Sequence, residues 1–250
     1  MQHIKSKAEI GYFKKSGEIA TAAIKHVLAN VKIGVTTLEL DKMAGDKIYK
    51  LGGEISFKTV ESYPFTICTT VNDEVVHGLP SEYRLKLGDI IGIDLGAIYH
   101  GCHTDVAETV AIGNVEEKFG RFLTIGKKTL QAAYQQAILG NRIGDISFTI
   151  QSNIESAGYS VVRELIGHGV GKALHEDPII PGIGKPNTGP KIEKGMTLAI
   201  EIIYSMGKPD VIYKNNDGWT IVTKDGSLAG LFERTVLVTD NEPIVLTPID

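Results

Sequence analysis

Apolar residues recur at helical spacing over residues 8–31, where Ile10, Phe13, Ile19, Ala23 and Ile24 are separated by Lys14, Lys15 and Glu18. Gly34 closes the connection, and Thr36-Thr37-Leu38-Glu39 has the spacing of a capping box. A second helix is therefore predicted to about Tyr49, stopped by Gly52-Gly53. Strand-like runs follow at residues 65–71, 89–98 and 102–112. The order then repeats. Residues 115–139 carry Phe119, Phe122, Leu130, Ala133, Tyr134, Ala137 and Ile138 on one helical face; another helix opens near Ile143, and Gly158 ends it. Residues 33–37 and 143–147 share a glycine followed three positions later by a hydroxyl. The expectation is one domain over 1–250, with two pseudo-symmetric halves at roughly 1–112 and 113–250. Residues 181–190, rich in Pro and Gly, read as an ordered loop.

A chain of 250 residues can bury a sizeable core. Its 42% hydrophobic and 22% charged content excludes disorder and rods. Lys+Arg number 26 against Asp+Glu 30, so no basic footprint for nucleic acid exists. Cys68 and Cys102 cannot make a disulfide framework, which points to a reducing compartment. Residues Met1 to Lys7 lack the apolar core of a signal peptide, and no apolar run approaches the roughly 20 residues that span a bilayer. The expected protein is soluble, cytoplasmic and monomeric, with no membrane partner.

Carboxylates stand in strands that should be buried. Asp94 lies in Ile90-Ile91-Gly92-Ile93-Asp94-Leu95, and Asp105 follows the turn Tyr99-His100-Gly101. A hairpin folded about residues 99 and 100 sets the two acids directly opposite, about 5 Å apart. Glu201 is central in Leu198-Ala199-Ile200-Glu201-Ile202-Ile203, and Glu233 stands in Leu231-Phe232-Glu233-Arg234-Thr235-Val236. One such acid is ordinarily an edge-strand residue or half of a salt bridge. Four together have no comparable set of apolar-embedded cations, and Arg234 points to the face opposite Glu233. Each uncompensated carboxylate costs several kcal/mol.

His168 and His175 share the segment Gly167-His168-Gly169-Val170-Gly171-Lys172-Ala173-Leu174-His175. Two histidines in one loop are more often structural; beside four strand acids they read as metal chemistry. A P-loop is excluded, because no Ser or Thr follows Lys172. Four carboxylates sum to −4 and two divalent ions to +4. Carboxylate oxygens with imidazole suit Mn, Fe, Co or Zn, and a water between two such ions attacks a polarised carbonyl or phosphoryl group.

With these residues in place, the chain resembles type I methionine aminopeptidase, of the pita-bread (creatinase/aminopeptidase) fold. The landmarks are Asn72-Asp73-Glu74-Val75-Val76-His77-Gly78-Leu79-Pro80, Asp94 with Asp105 eleven residues on, Gly167-His168-Gly169-Val170-Gly171, His175-Glu176-Asp177-Pro178, Gly195-Met196-Thr197-Leu198-Ala199-Ile200-Glu201 and Phe232-Glu233-Arg234-Thr235. The resemblance runs nearly end to end. It implies an α+β fold with a central antiparallel sheet flanked by helices, and metal-dependent removal of the N-terminal Met of nascent polypeptides with a small second residue. It implies that Asp105, His168, Glu201 and Glu233 hold one metal and Asp94, Asp105 and Glu233 the other. It makes Glu201 the proton shuttle and His77 and His175 the contacts to substrate. It places Tyr63, Cys68, Leu174 and Trp219 around the methionine side chain, and the substrate's free amine on the second metal.

The family usually has proline after the glutamate matching Glu201, and Gln and His flanking the last glutamate; here Ile202, Leu231 and Arg234 stand there. The pocket also varies around Phe57 and Val60. These departures bear on rate, metal preference and fine specificity more than on reaction class. Xaa-Pro aminopeptidase or prolidase shares the fold and ligands, but those relatives usually carry an extra N-terminal domain, whereas here the first helix starts at once. The type II methionine enzymes carry an insertion, for which the 31 residues between Glu201 and Glu233 leave no room. A non-catalytic pita-bread binding protein is the third alternative, and such domains typically lose ligands that this chain keeps. Lys5, Lys7, Lys14 and Lys15 are candidates for transient ribosome contact, although such a run is usually a solvated helix face.

Overall fold

The structure, a computed structural model, describes residues 5–214 and 217–249; Met1 to Ile4, part of the segment read for a leader, lie outside them. Among the described residues four α-helices form: α1 (Lys7–Leu28), α2 (Thr37–Lys50), α3 (Glu117–Tyr134) and α4 (Ile143–Ser156). The strands of the first half are β1 (Glu54–Ile55), β2 (Ile67–Val71), β3 (Glu74–Val76), β4 (Ile90–Tyr99) and β5 (Cys102–Ala111). Those of the second are β6 (Ser160–Val161), β7 (Ile166–Gly169), β8 (Glu176–Pro181), β9 (Thr197–Ser205), β10 (Val211–Tyr213), β11 (Ile221–Thr223), β12 (Ala229–Leu237) and β13 (Ile244–Val245).

Thr36 caps α2 as its sequence signature requires: its side chain accepts from the Glu39 N–H, and the Glu39 carboxylate accepts from the Thr36 N–H. Ser6 and Glu9 make the same box on α1. The glycines at 34 and 144 are not equivalent, however. Gly34 lies two residues before the cap Thr36, whereas Gly144 is the second residue of α4, whose cap is Arg142.

Antiparallel strands run in the order β1-β4-β5-β12-β9-β7-β8, with β2 on β4, β6 on β9 and β13 on β12. Period-two alternation divides this sheet into two faces. On one face Ile91, Ile93, Leu95, Ala97 and Val106 pack against Ile19, Ile24, Leu40 and Ile48 of α1 and α2. On the same face Leu198, Ile200, Ile202, Tyr204, Phe232 and Val236 pack against Phe122 of α3 and Ile146, Ile150 and Ile154 of α4. Both helix pairs thus cover the back. Asp94, Asp105, Glu201 and Glu233, one position out of phase, are left on the front. A small sheet of β10-β11-β3 lies on that side, its Val75, Val76 and Ile221 packed on Ala107, Ile203 and Leu231.

The hairpin register corrects the sequence expectation. His100 and Gly101 both have positive φ, 49° and 71°, and form a two-residue turn that pairs Tyr99 with Cys102. Asp105 therefore faces Gly96, and Asp94 faces Ala107. The two acids are diagonal neighbours on one face rather than direct partners. Direct opposition does occur elsewhere, between Glu233 and Glu201.

Glu108, which the sequence pattern did not single out, is buried on the back face. Arg234 donates to it at 2.7 Å and Lys127 pairs with it at 2.6 Å. Arg234 also donates to the carbonyls of Ala107 and Glu233, tying β5 to β12. Removing one partner of a buried pair costs about 3 to 5 kcal/mol. Arg234→Leu should lose about that much in urea denaturation, and the Arg234→Leu/Glu108→Leu double variant should recover most of it. A loss below about 1 kcal/mol in the single variant contradicts the network's role.

Candidate metal centre

Asp105 sits where β5 meets β12. Its N–H donates to the Thr235 hydroxyl at 2.8 Å, and that hydroxyl donates back to its carbonyl. His168, on β7, pairs with Ala199 of β9 and so shares a face with Glu201. Its Nδ1 lies 2.9 Å from the Gly169 carbonyl. A carbonyl only accepts, so Nδ1 carries the hydrogen and Nε2 keeps its lone pair. Burial, then His175, lowers the His168 pKa to about 4, so the ring is neutral. Ligand atoms of Asp105, His168 and Glu233 all fall within 4.8 Å of one another.

The acids are out of balance with their surroundings. Burial first, then neighbouring carboxylates, raises Asp94 and Glu233 well above their usual range; burial likewise lifts Asp105 to about 7 and Glu201 to about 8. Asp94 Oδ1 and Glu233 Oε1 are buried without a hydrogen-bond partner among the described residues. Asp94 and Glu201 keep some exposure, directed into a pocket. Buried carboxyls with uncommitted lone pairs, facing a neutral imidazole, could cradle hard or borderline divalent cations in place of their protons. The donor set fits metal, in line with the expectation drawn from strand acids beside histidines.

The pocket encloses about 120 Å³ beside this cradle. Phe57, Val60, Tyr63, Cys68, Leu174 and Trp219 wall one end, and Asp94, Asp105, His168 and Glu201 the other, with His77 and His175. Tyr63 packs edge-on against Trp219 at 4.9 Å and Phe57 at 6.2 Å. Its hydroxyl donates to the Ile67 carbonyl, so its polar end is satisfied. Burial, then Asp94, pushes the Cys68 thiol up, which keeps it protonated and a poor nucleophile. His77 and His175 have exposed surface at the mouth, yet protein on several sides holds both below the usual imidazole range by desolvation. His77 adopts φ 57°, an uncommon backbone state that aims the ring at Trp219. The His175 ring lies 4.4 Å from that of His168.

The loop carrying Leu174 and His175 is held by Glu176, whose carboxylate accepts from the Lys172 and Ala173 N–H groups and pairs with Lys5 at 3.1 Å. A Cβ on Gly171 would lie 2.1 Å from that carboxylate, so any larger residue there would have to push the clamp aside. Lys5 is itself 6% exposed and engaged here, which removes it from the lysines open to ribosome contact. Sequence reasoning missed this clamp and the buried Ser56–His103 contact of 2.8 Å.

A model of metallopeptidase family M24 matches residues 11–240. The chain belongs to metallopeptidase family M24. Among M24 proteins, a methionine aminopeptidase of Clostridium acetobutylicum is 44% identical over 98% of both chains. The crystal structure of methionine aminopeptidase from Thermotoga maritima superposes with a TM-score of 0.97, at 41% identity, covering 99% of each chain. Prolidase from Pyrococcus furiosus shares the fold, at 24% identity and TM-score 0.81, and this chain covers 66% of it. The α+β pita-bread fold expected from the resemblance is the one observed.

The raised carboxyls set a pH dependence. In metal-free protein an acid with raised folded pKa keeps its proton where the unfolded chain has lost it. Its contribution is therefore full below about pH 4 and declines as pH rises through about 8. Calorimetry in chelator should show melting temperature falling across this window relative to an Asp94→Asn/Glu233→Gln variant. Excess Mn should remove the decline; identical slopes for the two proteins contradict the assignment.

Proposed function

We propose that this M24 metallopeptidase removes the N-terminal methionine from proteins and peptides, preferring a small second residue. One observation carries the reading: a small apolar, aromatic-walled pocket, of a size for one unbranched side chain, adjoins the acid–imidazole cradle. A thioether suits such walls, because sulfur packs favourably on ring edges. The relatives named methionine aminopeptidase, matched over nearly their full length, support it.

Asp105, His168, Glu201 and Glu233 would hold one divalent ion, and Asp94 with Asp105 and Glu233 a second, of Mn, Fe, Co or Zn. The chemistry such ions supply is Lewis acidity, which polarises a peptide carbonyl and acidifies water. Tyr63, Cys68, Leu174, Trp219 and the adjoining Phe57 take the methionine side chain and exclude water. His77 and His175, neutral at pH 7, donate hydrogen bonds to the substrate carbonyl as it becomes tetrahedral. Glu201, with a face on the pocket, takes a proton from the attacking water and returns it to the leaving amine. Cys68 and Cys102 are both free and buried, consistent with a reducing, cytoplasmic setting. No described helix is long and apolar enough to cross a membrane. The substrates are nascent chains met transiently at the ribosome, with the protein acting as a monomer.

Purified protein with Mn or Co should release free methionine from Met-Ala and Met-Gly peptides and spare Met-Leu peptides. Preferential cleavage of Xaa-Pro peptides would move the assignment to a prolidase. His168→Ala should lose metal affinity by more than the roughly 10- to 100-fold typical of a supporting contact. His77→Ala should lower kcat by roughly 100- to 1,000-fold, the size expected for an oxyanion donor, with metal content unchanged. Loss of metal from His77→Ala would show that this ring is a ligand instead.

A further inference from the structure

We infer that the groove leading out of the methionine pocket reads the third and fourth residues of the substrate by charge, favouring Lys or Arg over Asp or Glu. This rests on the methionine-removal reading above. The groove encloses about 630 Å³ and shares His77, His168, His175 and Glu201 with the pocket. A peptide whose first side chain fills the pocket must leave along it.

Beyond the shared residues the floor is apolar, formed by Val76, Leu165, Ile166 and Ile203, with Ile179 57% exposed at its side. That surface suits an extended backbone and aliphatic side-chain stems. The rim is acidic. Glu164 and Asp177 line it, both exposed, and neither forms an ion pair among the described residues. Glu176 also lines it but is neutralised by Lys5. The lining contains no Lys or Arg; Arg163 is exposed but outside it. The groove therefore presents two uncompensated negative charges on a chain of net charge −4.

An extended chain advances about 3.4 Å per residue. The third and fourth side chains thus lie about 7 to 10 Å past the first, away from the shared histidines and toward the unshared rim. A basic stem lies on the apolar floor while its charged end meets Glu164 or Asp177. An acidic side chain there meets like charge. Each exposed pair is worth about 1.4- to 5-fold in kcat/KM.

The test uses Mn-loaded enzyme and three peptide amides, Met-Ala-Lys-Lys, Met-Ala-Gln-Gln and Met-Ala-Glu-Glu, assayed for free methionine at low and high salt. The wild-type Lys-to-Glu ratio of kcat/KM should be roughly 5- to 20-fold at low salt. It should collapse toward one in 1 M NaCl, where screening acts within about 3 Å. In Glu164→Gln/Asp177→Asn the low-salt ratio should fall below about twofold. The ratio is taken within each enzyme, so a general loss of activity cancels. A wild-type ratio near one, a ratio indifferent to salt, or one retained in the double variant overturns the inference while leaving methionine removal intact. Absence of methionine release from all three peptides would overturn the activity, and this specificity with it.

Discussion

Carboxylates crowded on one face of a buried sheet repel each other, and burial magnifies the repulsion because little water remains to screen it. Asp94 and Asp105 meet diagonally across β4 and β5, and Glu201 faces Glu233 across β9 and β12. The helix layer behind the sheet fixes this arrangement, since shifting any of these strands by one residue would bring its apolar side chains forward and send its acid into the core. The fold therefore enforces a concentration of negative charge. Protons retained up to about neutral pH relieve it in the metal-free protein, and bound metal would relieve it in their place. The orphaned oxygens of Asp94 and Glu233 mark where that relief is needed.

The same strands carry an internal control. Glu108 stands on β5 as deeply buried as Asp105, but on the opposite face, where Arg234 and Lys127 neutralise it. This chain thus pairs a buried acid with protein cations on the back of the sheet. On the front, no Lys or Arg lines the pocket. The contrast between the faces separates a structural ion pair from a functional cradle better than the burial of any single residue. Arg234 joins them: its guanidinium holds the Glu233 carbonyl from behind while the Glu233 side chain serves the front.

Local signals in the sequence were legible. The capping boxes and helix spans are written in contiguous residues, and apolar runs of period two reveal both the strands and the acids that do not belong in them. All of the expected site positions come together around one pocket and cradle, although they span residues 63 to 233. Features set by distant contacts were not legible. The hairpin turn fell at His100-Gly101 because a histidine there adopts positive φ, which residue type alone does not announce. The partners Glu108 and Arg234 are 126 residues apart, and Lys5 and Glu176 are 171 apart. Each looks like an ordinary surface charge until the sheet is assembled. Lys5, read as a solvated lysine, is instead the buried anchor of the loop that carries His175.

The most direct measurement is isothermal titration of Mn into metal-free protein at pH 7, repeated in buffers of differing ionisation enthalpy, so that protons released per ion are counted. If like-charged burial holds protons on these acids, saturation with Mn must expel at least one proton per chain, and the Asp94→Asn/Glu233→Gln variant must bind more weakly. Tight binding with no proton release, or no binding at all, would contradict the claim that the cluster is an enforced charge concentration awaiting cations.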